Sequence, residues 1–254
     1  MSDFTYDTIL STLDDRGIRT IALNRPGSLN AMNPGLIRDV ASAFDDANAC
    51  PDTKVIIFTG TGRAFCAGDD RKEHTHPETE AEAQQLVEEI QAATRAITFG
   101  EKPVVGAING WAVGGGFEWA INCDFPIWAE SAKAFFPEMR LGVFVTGAVT
   151  TLLPALAGLQ KAREMLFLGE TYAARDLLEA KVAWRVVPDE YLMREAQAVA
   201  EQLAGLPQNA IRLMKRALNT SGSQEIERAL QVETEATVAG FLDPETTKRM
   251  TDFG

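Results

Sequence analysis

Hydrophobic positions along the chain change their period several times, and each period predicts a different element. Residues 18–23, 55–58 and 103–108 are short apolar runs rich in β-branched side chains, a pattern typical of buried strands. Between these runs, apolar residues recur at helical spacing in two stretches: Leu36, Val40, Phe44 and Ala47, then Leu86, Ile90, Ala93 and Ile97. Strands that alternate with helices predict an α/β fold with a parallel sheet built from crossover units.

After about residue 190 the strand pattern stops and only helical spacing continues. One apolar seam consists of Leu192, Ala196, Val199, Leu203 and Leu206. A second helix starts at Pro207, with Ile211, Met214 and Leu218 expected to face inward, and residues 224–242 form a third. We therefore divide the chain into a core of residues 1–190 and a C-terminal helical region of residues 191–254. The apolar faces of this region suit either subunit contacts or packing on the protein's own core.

Charge, apolar runs and cysteine spacing limit the partners and the location expected for this protein. A net charge of −12 argues against nucleic acid, which proteins bind mainly through clustered Lys and Arg. No apolar run approaches the ~20 residues of a membrane span, and the first residues lack the pattern of a signal peptide. Cys50, Cys66 and Cys123 are widely spaced, which suggests reduced thiols and a cytoplasmic location.

Two glycine-rich turns each follow a predicted buried strand. The first covers residues 65–70 and reads FCAGDD, and the second is the run of residues 114–116 ahead of a short helix. Glycines at such turns let a ligand approach backbone N–H groups, and a helix N-terminus adds a favourable dipole. If the turns lie side by side, they supply two convergent donors for a developing oxyanion. The alternative is that both are simply tight turns.

Other chemistries fit the sequence less well. Gly60 and Gly62 follow a strand but lead into further loop, so a dinucleotide fingerprint is not favoured. His74 and His76 are the only histidines, in what reads as a solvated loop with no third metal ligand, so no metal site is expected. A serine triad is disfavoured because no Gly-x-Ser-x-Gly elbow exists.

Two glutamates are candidates for acid–base chemistry. Glu118 lies in the first turn of the helix that begins at the glycine run, beside the proposed donors. Glu138 follows Phe135, Phe136 and Pro137, where partial desolvation is expected to raise its pKa. The alternative for each glutamate is a salt-bridge partner or a surface group.

Taken together and in order, these segments resemble the enoyl-CoA hydratase/isomerase (crotonase) family. The resemblance covers nearly the whole chain and is carried by NRPGSLNAM (residues 24–32), VIIFTGTGRAFCAGDDRKE (55–73), KPVVGAINGWAVGGGFEWAINCD (102–124), FPEMRLG (136–142) and AREMLFLGETYAARDLLEAKVAWRVVP (162–188). It implies a spiral of ββα units followed by C-terminal helices that build trimers or hexamers. It also implies an acyl-CoA thioester as substrate, with coenzyme A as part of that substrate and no separate cofactor.

The resemblance also implies residue roles. The two oxyanion donors are the backbone N–H groups of Asp69 and Gly115. Asp69 is unusual at this position, so its carboxylate is expected to point away from the forming enolate. Glu118 is expected to orient and deprotonate water, and Glu138 to handle the proton of the α-carbon. Substrate-binding positions are Ala67 and Asp70 beside the first donor, Arg25 and Lys72 near the CoA phosphates, and Trp111 and Phe136 along the acyl channel.

The chain departs from the family pattern in two places. Residues 141–149 replace the usual proline- and glycine-rich turn after the second glutamate, and the basic C-terminal tail is shortened to TKRMTDFG. The leading hypothesis is hydration of a 2-enoyl-CoA, because both glutamates are present. Isomerisation of an enoyl-CoA double bond is the nearest alternative, followed by other reactions of the family. A non-catalytic binding protein is disfavoured for the same reason.

Overall fold

The computed structural model describes residues 5–221 and 223–252 and contains two sheets with helices around them. The strands are β1 (Ile9–Leu13), β2 (Ile18–Leu23), β3 (Val55–Gly60), β4 (Ala64–Cys66), β5 (Val104–Ile108), β6 (Trp111–Val113), β7 (Phe125–Ala129), β8 (Lys133–Phe135), β9 (Tyr172–Ala173) and β10 (Arg185–Val187). The helices are α1 (Pro34–Ala49), α2 (Glu80–Thr98), α3 (Gly115–Asn122), α4 (Glu138–Leu141), α5 (Val149–Ala157), α6 (Leu159–Leu168), α7 (Ala174–Glu179), α8 (Leu192–Ala204), α9 (Gln208–Ser221), α10 (Ser223–Phe241) and α11 (Pro244–Asp252).

The chain repeats one unit, in which a strand of the larger sheet is followed by a short strand of the smaller sheet and then by a helix. The larger sheet has the order β1-β2-β3-β5-β7-β10, and the smaller has the order β4-β6-β8-β9. The units β3-β4-α2, β5-β6-α3 and β7-β8-α4 therefore follow one another as a spiral. Strand pairs between these units are parallel, which confirms the predicted fold class.

The core lies between the larger sheet and the helices that the sequence pattern predicts. Helix α1 begins where expected, because the Asn33 side chain accepts a hydrogen bond from the N–H of Leu36 at 2.8 Å. Its Phe44 ring meets Phe58 of β3 edge-on, with ring centroids 5.0 Å apart. Strand β5 is buried along its whole length, in agreement with its continuous apolar sequence.

The C-terminal helices correct one prediction about which residues face inward. Helix α8 packs the predicted seam into the main core up to Leu203, whereas Leu206 lies beyond the helix and is exposed. Helix α10 matches the predicted third helix. In α9, however, Met214 and Leu218 are 61% and 67% exposed. The buried side of α9 instead carries Lys215, whose ammonium group donates to Asp124 at 2.7 Å and to two backbone carbonyls. Helical spacing correctly groups the apolar residues on one stripe of α9. That stripe faces outward because the ion pair between Lys215 and Asp124 holds another side of the helix against the rest of the protein.

The three cysteines are buried and free, as expected for packed thiols. Among the described residues, none of the helices combines the length and the apolar sequence of a membrane span. The same residues contain no cluster of three or more His, Cys, Asp or Glu side chains that could hold a metal ion.

Candidate active site

The pairing of β4 with β6 brings the two glycine-rich turns together. Cys66 lies opposite Ala112 in this parallel pair, so the residues after each strand leave the sheet side by side. The contact is so close that a Cβ on Gly68 would lie 2.9 Å from the carbonyl oxygen of Val113. Gly68 also has a φ of +82°, a conformation that favours glycine. Gly68 is therefore required by the geometry of the first turn.

Each turn presents one backbone N–H group without a protein acceptor among the described residues. Met32 pairs with the first turn by donating to the Gly68 carbonyl at 2.7 Å and accepting from the Asp70 N–H at 2.9 Å. This alternation directs the Asp69 N–H away from Met32. Gly115 is the first residue of α3, where the helix itself supplies no acceptor for the N–H. The two predicted donors therefore lie on adjacent turns.

Glu118 is buried and firmly held. It lies in the first turn of α3 and is 2% exposed. Its carboxylate accepts hydrogen bonds from the Thr146 N–H at 3.1 Å and from the Thr146 hydroxyl at 3.0 Å. One turn further along α3, Asn122 donates to the Gly147 carbonyl at 2.9 Å. Helix α3 thus holds the segment around residues 146–147 at two points, and that segment fixes the carboxylate.

Glu138 is buried as well, but its carboxylate is less constrained. It begins α4 directly after Pro137, and its Oε2 atom is buried without a hydrogen-bond partner among the described residues. Its other oxygen lies close to the second turn, since a Cβ on Gly114 would be 2.6 Å from Oε1. The predicted desolvation of this carboxylate is confirmed by its burial.

Burial raises the pKa of both catalytic candidates. Desolvation is the main cause for each, and the neighbouring negative charge of Glu118 adds to it for Glu138, whose pKa lies well above its ordinary range. For Glu118, burial and the charge of Glu233 outweigh the hydrogen bonds from residues 146–147 and raise the pKa to about 8. Because burial and the charge of ionised Glu118 both disfavour ionisation of Glu138, Glu138 tends to retain its proton near neutral pH.

The Asp69 carboxylate has a contact partner that the sequence did not indicate. Its Oδ2 lies 3.0 Å from Nδ1 of His74, and its side chain is 52% exposed. This contact draws the carboxylate toward His74. His74 and His76 lie in a largely exposed loop, as expected, but their rings are partly buried and pack against each other and against Phe241. The hydrophobic partner comes from α10 and lies far away in sequence.

These groups surround a mostly apolar cavity of about 290 Å³. Ala67, Asp69, Gly115, Glu118 and Glu138 all line it, so the structure brings together the four predicted catalytic residues and one predicted substrate-binding residue. Apolar lining comes from Ile37, Leu86, Ile90, Leu141, Val143, Phe144, Phe241 and Met250. A larger open groove between α2 and α10 contains none of the candidate residues and is lined mainly by Gln, Glu and Arg side chains.

Arg25 and Asp70, both predicted to bind substrate, form an ion pair with each other. The Arg25 guanidinium contacts Asp70 at 2.7 Å and Glu73 at 2.5 Å and also donates to the Ala31 carbonyl. Burial acts to raise the pKa of Asp70, but hydrogen bonds from Arg25 and nearby backbone N–H groups outweigh it, so the pKa is lowered. This network shapes the loop that carries the first donor.

Three other predicted substrate-binding residues lie outside the lining of the cavity. Phe136 is fully buried and stacks on Phe117 with centroids 4.6 Å apart, whereas its neighbour Phe135 lines the cavity. Phe135 ends β8 and Phe136 directly follows it, and these two successive side chains point to opposite sides. Trp111 is 38% exposed and meets Phe135 edge-on from outside, and Lys72 is an exposed surface residue.

Several cavity residues were missed by reasoning from sequence. Thr146 belongs to a segment without a clear period, and Thr237, Phe241 and Met250 come from the C-terminal helices. Helical spacing predicted the helix that carries Phe241 but could not show that its end reaches the glycine turns. Arg71 and His74 were visible as charged or polar residues near the first turn, and only the fold shows that they face the cavity.

The two-sheet spiral, with paired glycine turns above a cavity that contains two buried glutamates, defines an enzyme of the crotonase fold. A solved enoyl-CoA hydratase/isomerase from Mycobacterium paratuberculosis matches with a TM-score of 0.90 and 28% identity, covering 98% of this chain and 99% of that one. The family model of enoyl-CoA hydratase/isomerase matches residues 14–253. The chain belongs to the enoyl-CoA hydratase/isomerase family, whose members act on acyl-CoA thioesters.

Similar proteins have more than one named reaction. The chain is 33% identical to the probable enoyl-CoA hydratase echA8 of Mycobacterium bovis, over 98% of this chain and 95% of that protein. It is 31% identical to a crotonyl-CoA hydratase of Syntrophomonas wolfei, with the same coverage. It is also 31% identical to the 1,2-epoxyphenylacetyl-CoA isomerase of Escherichia coli, over 86% of this chain and 85% of that protein.

Proposed function

We propose that this protein hydrates a trans-2-enoyl-CoA thioester through an enolate intermediate. The observation that carries the proposal is the presence of two buried carboxyl groups, Glu118 and Glu138, in one cavity. Two backbone N–H groups that have no acceptor in the part of the chain that the structure describes lie in the same cavity. Hydration needs both a base for water and an acid for carbon. A buried pair that retains one proton supplies both functions at once.

In the proposed reaction, the thioester carbonyl oxygen lies against the N–H groups of Asp69 and Gly115. Ionised Glu118 takes a proton from water as the water oxygen bonds to the β-carbon. The π electrons move onto the thioester oxygen, where the two donors stabilise the enolate. The enolate then collapses as its α-carbon takes a proton from Glu138. One water is consumed, and the two glutamates exchange protonation states.

The cavity also supports a proposal about the acyl group. Its lining is mainly aliphatic and aromatic, so we expect an apolar acyl chain rather than a charged one. Leu141, Val143, Phe144 and Thr146 contribute to this lining from the segment that departs from the family pattern. The shape of the acyl pocket is therefore expected to be particular to this chain.

Isomerisation is the second candidate, and one observation favours it. Glu118 is fixed by Thr146, whereas Glu138 Oε2 has no partner among the described residues, so Glu138 alone is free to carry a proton between carbons. The relationship to an isomerase adds to this. Adding crotonyl-CoA and following the ultraviolet band of the conjugated thioester tests hydration. Conversion of a 3-enoyl-CoA without net addition of water would instead favour isomerisation.

We further propose that the protein works as a homotrimer or homohexamer in the cytoplasm, with no cofactor besides the CoA of its substrate. The exposed apolar residues of α9 support assembly, since a stripe of this kind is typical of a protein–protein contact. The cytoplasmic location rests on the spacing of the cysteines, and the absence of a nucleic-acid partner rests on the acidic net charge.

A further inference from the structure

A third buried carboxyl group lies near Glu118 but outside the cavity lining, and it belongs to the C-terminal helices. Glu233, on α10, has a relative exposure of 0%. It accepts hydrogen bonds from the Ala148 N–H at 2.8 Å, the Thr150 N–H at 3.0 Å and the Thr150 hydroxyl at 2.7 Å. No Lys, Arg or His among the described residues forms an ion pair with it. A buried carboxyl group is costly when it has hydrogen-bond donors but no cation beside it, so the presence of Glu233 here requires an explanation.

The chain segment that binds Glu233 is the segment that binds Glu118. Residues 146–150 (the 146–150 turn) run from a bend into the first turn of α5, with Glu118 bound at Thr146 and Glu233 bound at Ala148 and Thr150. The turn lies tightly against Glu118, because a Cβ on Gly147 would be 2.6 Å from the Glu118 Cβ and 2.7 Å from its Oε2. A change in how Glu233 binds the turn is therefore transmitted to the Glu118 carboxylate.

The charges in this region add a second connection. Burial raises the pKa of Glu233 to about 7, although its three hydrogen bonds favour the ionised form. The charge of Glu233 is the main charge that raises the pKa of Glu118. As pH rises, the better-bound Glu233 is expected to ionise first and to disfavour ionisation of Glu118.

Several other titratable groups of this region either line the cavity or have ion-pair partners of their own. Glu138 on α4 is the remaining carboxyl beside Glu118, and Asp69, Arg71 and His74 also line the cavity. On α2, which packs on α10, Arg95 pairs with Glu227 and the uncharged Gln91 donates to the Leu230 carbonyl. On α11, Arg249 pairs with Glu245. Within the described chain, Glu233 is therefore the carboxyl group outside the cavity lining whose charge acts on Glu118.

We propose that Glu233 is a positioning residue of the active site, which holds the 146–150 turn against Glu118 and sets the protonation state of Glu118 through its own charge. The C-terminal helical region would then tune the chemistry as well as cover the cavity. The inference rests on the proposed function in one respect, namely that Glu118 is the base that accepts the water proton.

The test measures Glu118 directly, in the free protein. The infrared band of its protonated carboxyl group is assigned by its loss in Glu118→Gln and is then titrated with pH. In Glu233→Gln the midpoint is expected to fall by on the order of one pH unit, the usual size of a shift caused by a nearby charge. The acidic limb of the kcat/KM profile with a 2-enoyl-CoA should move in the same direction. A purely structural role for Glu233 would lower stability without moving either midpoint.

Two variants make the test decisive. Glu227→Gln removes the same charge from an exposed position on the same helix and should leave the Glu118 midpoint in place. Thr150→Val removes one donor to Glu233 and should lower the midpoint by less, and it decides the matter if Glu233→Gln does not fold. An unmoved midpoint in the folded Glu233→Gln or Thr150→Val protein overturns the inference. A shifted midpoint in a protein that hydrates no enoyl-CoA would overturn the proposed function alone.

Discussion

At the scale of single residues, the two glutamates of the cavity differ in how they are held. Glu118 is bound by the Thr146 N–H and hydroxyl, which suits a group that must orient a water molecule. Glu138 has one oxygen without a partner among the described residues, which suits a group that must move a proton to carbon. Both were found from sequence because each follows a recognisable feature, a glycine run or a proline. The hydroxyl that fixes Glu118 lies in a segment with no such feature.

Glu138 gives a prediction about stability and pH. Its pKa in the folded protein is raised above its ordinary value of 4.5, so the folded state binds the proton more tightly than the unfolded state. Stability from this group is complete below 4.5 and is lost as pH rises. Glu138→Gln should therefore melt a few degrees above the wild type at pH 8, since about 1 kcal/mol shifts Tm by ~2–4 °C. Calorimetry at pH 5 should show a smaller difference, and equal differences at both pH values would contradict the raised pKa.

The Asp69–His74 contact gives a second prediction at this scale. His74→Ala should free the Asp69 carboxylate to turn toward the forming enolate, lowering kcat/KM about tenfold, or roughly 1.4 kcal/mol in the transition state. Adding Asp69→Asn to His74→Ala removes the repelling charge and should restore most of the loss. Steady-state kinetics of both single variants and the double variant measure this. A double variant no better than His74→Ala would show that His74 acts in another way.

At the scale of elements, the start of α3 places one donor through the backbone alone. Gly115→Pro removes that N–H at the first helical position, where proline is tolerated, and should lower kcat by ~10²–10³. Gly115→Ala keeps the N–H and is the matched control, because its Cβ meets only the flexible end of Met32. Circular dichroism checks folding in both variants. A folded Gly115→Pro protein with near-normal turnover would place the oxyanion site elsewhere.

The elements also show how far sequence reasoning reaches. Long periodic helices such as α1 and α2 and buried strands such as β3 and β5 were predictable, because their patterns extend over many residues. The strands of the smaller sheet are two or three residues long, too short for a period to show. The side of α9 that faces inward was also not predictable. That side is chosen by the ion pair between Lys215 and Asp124, which are far apart in sequence.

At the scale of the whole molecule, the outward apolar stripe of α9 predicts self-assembly. Leu213, Met214 and Leu218 are all exposed in the single chain, although a solvated surface seldom concentrates large apolar residues on one stripe. Light scattering at micromolar concentration should give the mass of a trimer or hexamer of the 27.6 kDa chain. The double variant Met214→Glu with Leu218→Glu should lower that mass. A wild-type monomer would contradict the prediction.

The central claim, that two carboxyl groups share the work of hydration, is tested most directly by replacing each of them. Turnover of crotonyl-CoA and of a 3-enoyl-CoA should be measured for wild type, Glu118→Gln, Glu138→Gln and the double variant, with products identified. Each single change should lower hydration by ~10²–10⁴, because each removes a general acid–base group. The double variant should lose little more than the worse single variant, since both residues serve one reaction. Glu118→Gln with most of its activity retained, beside an inactive Glu138→Gln, would contradict hydration and identify an isomerase.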